Sequence, residues 1–194
     1  MDVDRIAILG WGSLLWDERE EFDAWHEPWH FDGPSLKIEF SRVSKSRLGA
    51  LTLVIDNDHG GYTKVAYCIS SRHNIELAVE DLRIREAVGK NGIGHFQRGG
   101  VGQFRDNVAF EAIAAWAESK ELVGVVWTDL QSNFAKETGK KFSVDSALMY
   151  LAGLEGEAKE KAEKYLNAAP KFVETPLRRA WFAQNQIDSN YKPC

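Results

Sequence analysis

Three groups of residues in this chain have the types and spacing to do chemistry. The first, His26-Glu27-Pro28-Trp29-His30, fits H-E-x-x-H, in which two histidines one helical turn apart hold zinc and the glutamate activates its bound water. That chemistry needs a continuous helix, and Pro28 lacks an N–H and clashes with the preceding turn outside a helix's first turn. Asp32-Gly33-Pro34 follows almost at once, leaving scarcely room for a metal-bearing helix. The run therefore reads as a loop of two half-exposed histidines and stacking tryptophans, and no metal is expected. The second group is Gly10-Trp11-Gly12-Ser13-Leu14-Leu15. It begins like the G-x-G-x-x-G of dinucleotide-binding folds, but Leu15 occupies the third glycine position and the strands that follow do not alternate with helices. What remains is a bend whose consecutive N–H groups can hold an anion or carboxylate, or else a mere tight turn after an edge strand.

The third group is a single acid. Ile75, Ala78, Val79 and Leu82 stand at i, i+3, i+4 and i+7, which is one face of a helix capped near Asn74. At about 100° per residue, Glu86 falls about 20° from Ile75 on that face. A carboxylate turned into a core is either paired or functional, since burying it without partners costs several kcal/mol, about what a lost ion pair costs. A general base or acid is one reading. The others are a pair with Arg83 or Arg85, or a helix that stops near Arg85 and leaves the acid wet.

The elements that must position these groups follow from periodicity. Residues 5–9 form a short apolar run ended by Gly10, a buried strand entering a turn. Residues 36–43 alternate in period two. Leu51, Leu53 and Ile55, a turn rich in breakers, and then Val65, Tyr67 and Ile69 predict a β-hairpin. Six glycines between 89 and 102 predict a loop, with hinge freedom enough for a mobile lid. Phe104, Val108, Ala112, Ala115 and Trp116 restore helical spacing, and 121–128 is a further buried strand. Val144, Ala147, Leu148 and Leu151 give a helix closed by Gly153, and 155–167 is a charged helix with an apolar edge at Ala158, Ala162, Tyr165 and Leu166. The tail past Pro170 is too irregular to assign. Strands concentrated early, with helices inserted and appended, argue for an α+β fold.

Composition sets outer limits. The 194 residues carry 24 Lys and Arg against 29 Asp and Glu, a formal charge of −5. A pI near 5.6 gives no general pull on phosphates, so nucleic acid is a poor partner. No apolar run approaches the roughly 18 residues of a membrane span, and the first residues, MDVDRIAILG, have no basic n-region, so a cytoplasmic protein is expected. Cys68 and Cys194 cannot make a disulfide framework.

Together the second and third groups resemble a known family. Ile8-Leu9-Gly10-Trp11-Gly12-Ser13-Leu14-Leu15-Trp16 is similar to the F-G-Y-G-S-L-I-W signature of γ-glutamylcyclotransferase-like proteins, in particular the ChaC-type branch. Val65-Ala66-Tyr67 and the helix end Leu82-Arg83-Ile84-Arg85-Glu86 resemble that branch's V-A-Y strand and Y-L-D-x-R-E motif. The likeness covers residues 5 to 90. The family tyrosine is Trp11 here, which exchanges a phenol hydroxyl for an indole N–H, and the family's Y-L-D is Asp81-Leu82-Arg83.

The resemblance implies a small mixed, mostly antiparallel β-barrel with helices packed around it, the γ-glutamylcyclotransferase-like fold. The length suits a single domain over 1–194, with residues 1–103 as the motif-bearing core and 104–194 as additions packed on it. The resemblance further implies a cavity between the turn and Glu86, and an enzyme that needs no cofactor and cleaves a small γ-glutamyl amide to release 5-oxoproline. In that reading Glu86 is the catalytic base, the N–H groups around Gly12, Ser13 and Leu14 hold the substrate's carboxylate or oxyanion, and Trp11 forms an apolar wall. A non-catalytic module binding a small carboxylate or a partner at the same place is the alternative. Monomer and homodimer stay equally open.

Overall fold

The computed structural model describes residues 5–190, the last five by their backbone alone. Cys194 and residues 1–4 therefore lie outside the described residues. The fold is mixed α+β: seven α-helices and seven strands, among the described residues, with the strands in two mostly antiparallel sheets. The sheets are open, and no closed barrel forms among the described residues. Two compact units share the described residues, one made of 5–36 and 64–131, the other of 37–63 and 132–190.

The first unit is built on a four-stranded sheet. β1 (Ile6–Gly10) lies between β5 (Ala66–Ile69), antiparallel to it, and β7 (Gly124–Thr128), parallel to it; β6 (Ile93–Gln97) closes the far edge against β7. β1 is buried along its whole length, as a central strand covered on both faces must be, and this is why it reads as an unbroken apolar run. On one face, α2 (Ile75–Glu86) lays Ile75, Ala78 and Leu82 against Ile6, Ile8, Cys68, Ile93 and Val126. Each fully buried Leu or Ile there contributes about 2 kcal/mol. Asn74 starts the helix, its side-chain oxygen accepting the Leu77 N–H at 3.1 Å. Ala87 ends it in the left-handed region at φ 52°. α1 (Glu20–Asp23) is a single turn, and α3 (Asn107–Ser119) packs on β6 and β7.

Three expectations need correction in this unit. The glycine-rich segment is not a free loop: 93–97 is strand β6, and His95 also exchanges backbone hydrogen bonds with Gln103 at 2.8 and 3.0 Å. Gly94 is there because the Trp127 indole covers it; a Cβ would stand 2.3 Å from that ring. A hinged lid over 89–102 is thus replaced by a sheet edge. The hairpin expected between 51–55 and 65–69 is not formed either, because β5 pairs with β1. Finally, α3 buries Ala109, Ile113 and Ala117 rather than Val108, Ala112, Ala115 and Trp116. Asp106 caps it at 2.8 Å from the Ala109 N–H, so it begins later than Phe104 and turns the neighbouring face inward.

The second unit holds a three-stranded sheet in the order β3-β2-β4. β2 (Ser35–Ser44) pairs antiparallel with β3 (Ala50–Ile55), with an irregularity between Glu39 and Arg42, and β4 (Gly61–Lys64) takes its other edge. The Asn133 side chain accepts the Val43 N–H at 2.7 Å and donates to its C=O at 3.1 Å, as a paired strand would. Four helices complete the unit: α4 (Phe134–Thr138), α5 (Val144–Ala152), α6 (Gly156–Ala168) and α7 (Pro176–Asn190). α5 begins on a reciprocal Ser143–Ser146 cap, and α6 lays the predicted Ala162, Tyr165 and Leu166 inward. The tail that periodicity left unassigned is mostly α7. Among the described residues no helix is long and apolar enough to cross a membrane.

Candidate functional site

The chain leaves β1 at Gly10, where the Trp29 indole packs so closely that a Cβ would meet it at 2.9 Å. Ser13–Leu15 then form one 3-10 turn, with Leu15 N–H bonded to Gly12 O at 3.0 Å, and Trp16 and Asp17 N–H bonded to Ser13 O at 3.3 and 2.8 Å. A turn that begins so leaves its first amides, those of Gly12, Ser13 and Leu14, outside its own bonding. Gly12 has φ −118°, so no left-handed conformation selects glycine there. Trp11, Ser13 and Leu14 are buried, and the Leu14 side chain joins the core under α2. The turn is thereby fixed at its side chains.

Glu86 is the last residue of α2, so the helix does run far enough to carry it. Its side chain keeps 19% of its exposure, whereas Arg85 keeps 3%. The reason lies in the direction of the buried stripe. Val79 is only half-buried, so the stripe runs through Ile75, Ala78, Leu82 and Arg85, and Glu86 stands about 60° from its centre. Sequence reading gave the buried position to the acid and treated Arg85 only as a possible counter-ion. A basic residue three positions after Leu82 and seven after Ala78 was the signal available.

Arg85 links the two halves of the predicted site. One of its terminal nitrogens, Nη2, donates to Ser13 O at 3.3 Å and to Asp17 O at 2.6 Å; the other, Nη1, faces the Glu86 carboxylate at 3.6 Å. The Asp17 carboxylate is also 3.6 Å from Nη2. Burial pulls the guanidinium below its ordinary pKa, and Glu86 is the strongest influence in the other direction. The turn and the acid are thus brought together through a single cation. Arg83 grips Glu80 at 2.6 and 2.7 Å. Asp81 is held by Arg72, which also lies 3.5 Å over the Trp25 ring.

A cavity of about 240 Å³ borders Arg85, lined by Arg19, Glu21, Phe22, Trp25, Asp81 and Ile84 besides. It opens on the α1 flank of α2, about 150° around the helix from Glu86. It is therefore a different space from the one expected between the turn and the acid.

The histidine pair lies on extended chain. His26 bridges to Ser70 and His30 to Tyr67, so this segment lines β5 and is not a helix. His26 is engaged by Glu27 O at 2.7 Å and by Asp23 at 3.3 Å, and His30 stacks on Tyr67. Cys68 is buried, which raises its thiol pKa far above the ordinary range and keeps it protonated.

The chain has no significant match to a protein-family model, a curated protein or a solved structure.

Proposed function

We propose that this protein is a γ-glutamylcyclotransferase-like enzyme that cleaves a small γ-glutamyl amide by attack of the substrate's own α-amine, releasing 5-oxoproline. One observation carries the reading: a single buried guanidinium is shared by the Gly12–Leu14 turn and the Glu86 carboxylate. Two pieces of the motif some seventy residues apart in sequence meet there. A γ-glutamylcyclotransferase-like fold, with its sheets open where a barrel was expected, belongs to the same proposal.

The reaction asks little of the protein. The α-nitrogen forms a bond to the γ-carbonyl carbon, the ring closes, and the old C–N bond to the leaving amine breaks. No water is consumed. Closing a five-membered ring within one molecule has a large effective molarity, so holding the bent conformer supplies much of the rate. The substrate arrives as an ammonium ion, which cannot attack. Glu86 takes its proton as base and returns one to the leaving amine as acid. The amides of Gly12, Ser13 and Leu14 receive the α-carboxylate or the developing oxyanion, and Trp11 walls the site.

The ion pair itself favours a second reading, in which Glu86 serves only as the counter-ion of Arg85 and the protein binds a small carboxylate or a partner without turnover. Incubation with a panel of γ-glutamyl amines, amino acids and peptides separates the two. The enzyme releases 5-oxoproline and Glu86→Gln does not. In the binding module both are inert while a small carboxylate raises the melting temperature of each.

A further inference from the structure

We infer that Arg85 is a positioning residue that makes the conformation of the 12–17 turn depend on the charge of Glu86. The inference rests on the proposed reaction for its purpose but not for its physics. A guanidinium with 3% side-chain exposure is held by two groups of different kind: backbone carbonyls of the turn through Nη2, and the Glu86 carboxylate through Nη1. The 3.6 Å separation from Glu86 is an ion pair without hydrogen-bond contact, so the acid acts on the cation by charge. The other charges around the guanidinium are Asp17, Arg19 and Asp23. The Asp17 and Asp23 side chains keep 39% and 34% of their exposure against 19% for Glu86, and Arg19 repels, so Glu86 is the least screened counter-charge.

The consequence concerns Ser13 O, which accepts from the Trp16 and Asp17 amides and from Arg85 at once. When Glu86 gains a proton, a buried cation loses its least screened counter-charge and relaxes toward the Asp17 carboxylate and solvent, weakening its bonds to Ser13 O and Asp17 O. The turn then loosens. In catalysis this makes the grip on the substrate strongest while Glu86 is ionised, before it takes the ammonium proton, and weakest after it.

Amide hydrogen exchange of the full chain tests the linkage without requiring turnover. The readout is the exchange rate of the Leu15, Trp16 and Asp17 amides divided by that of the Val125 and Val126 amides in β7. Glu86→Gln, which preserves shape and removes charge, is expected to raise this ratio about tenfold, and Arg85→Lys, which keeps charge but loses the fork, to raise it too. An unchanged ratio in Glu86→Gln overturns the inference, even if Arg85→Lys raises it, because Arg85 is then a structural clamp alone. Equal acceleration of both amide groups is loss of global stability and also overturns it. Release of 5-oxoproline with an unchanged ratio leaves the enzymatic reading standing without the linkage; a raised ratio in a protein that releases none does the reverse.

Discussion

The chain buries charge in both of its compact units, but by different means. In the second unit Arg178 directs its guanidinium at the carbonyls of Ala169, Pro170 and Val173, where α6 ends. In the same unit the fully buried Glu39 accepts the N–H groups of Phe40 and Leu177 at 2.7 and 3.1 Å, the latter in the first turn of α7. Both groups are held chiefly by main chain, with Thr175 adding a side-chain bond to Glu39, and both pin helix ends. Arg85, in the first unit, divides itself between main chain and two carboxylates. Burial lowers the pKa of both arginines, so burial alone does not mark a functional site. The partner does: a carbonyl cannot change charge, whereas a carboxylate can.

The largest effect that would sharpen this contrast is on stability. Arg85→Met leaves Glu86 facing an apolar side chain, and an unfolding titration in urea should show a loss of about 4 kcal/mol. Arg178→Met leaves carbonyls and only the exposed Glu174 carboxylate without their cation, and the loss should be about 2 kcal/mol. A larger loss for Arg178 would break the distinction. Gly94→Ala is a control with no charge at all: a Cβ against the Trp127 indole overpacks the sheet edge and should cost about 2 kcal/mol, with the same loss at every pH.

The smallest effect is a pH dependence. Burial raises the Glu39 carboxyl above its ordinary range, against the hydrogen bonds from Thr175, Phe40 and Leu177, with Asp56 adding to the rise. A raised acid binds its proton more tightly folded than unfolded. Its contribution is therefore fully present below the ordinary carboxylate range and is lost as pH rises through the folded value. The stability of the parent relative to Glu39→Gln should grow as pH is lowered into that range. A difference that shrinks toward acid would mean that the α7 bonds outweigh burial.

Periodicity and caps made much of this molecule legible before its coordinates. The α2 helix with its Asn74 cap, the β1 run, the β7 strand and the helices α5 and α6 follow from local rules that the fold obeys. What failed was pairing and facing, which local sequence does not carry. The runs at 51–55 and 65–69 both read as strands, yet each finds a different sheet, because strand partners are chosen by the whole core. The six glycines predicted a loop, whereas Gly94 answers to a tryptophan thirty-three residues away. Helical spacing places Glu86 on the buried stripe, where Arg85 stands instead. The buried cation is not legible in that spacing, because an arginine on an apolar stripe is ordinarily a residue that snorkels outward.

The central claim is that Glu86 works on a γ-glutamyl group held at the 12–14 turn, and 5-oxoproline release by the parent and by Glu86→Gln measures it most directly. The account predicts release from at least one γ-glutamyl compound by the parent, and loss of that release in a variant that melts within a few degrees of it. Undiminished release by Glu86→Gln would contradict the assignment of the base, and no release by either would contradict the enzyme.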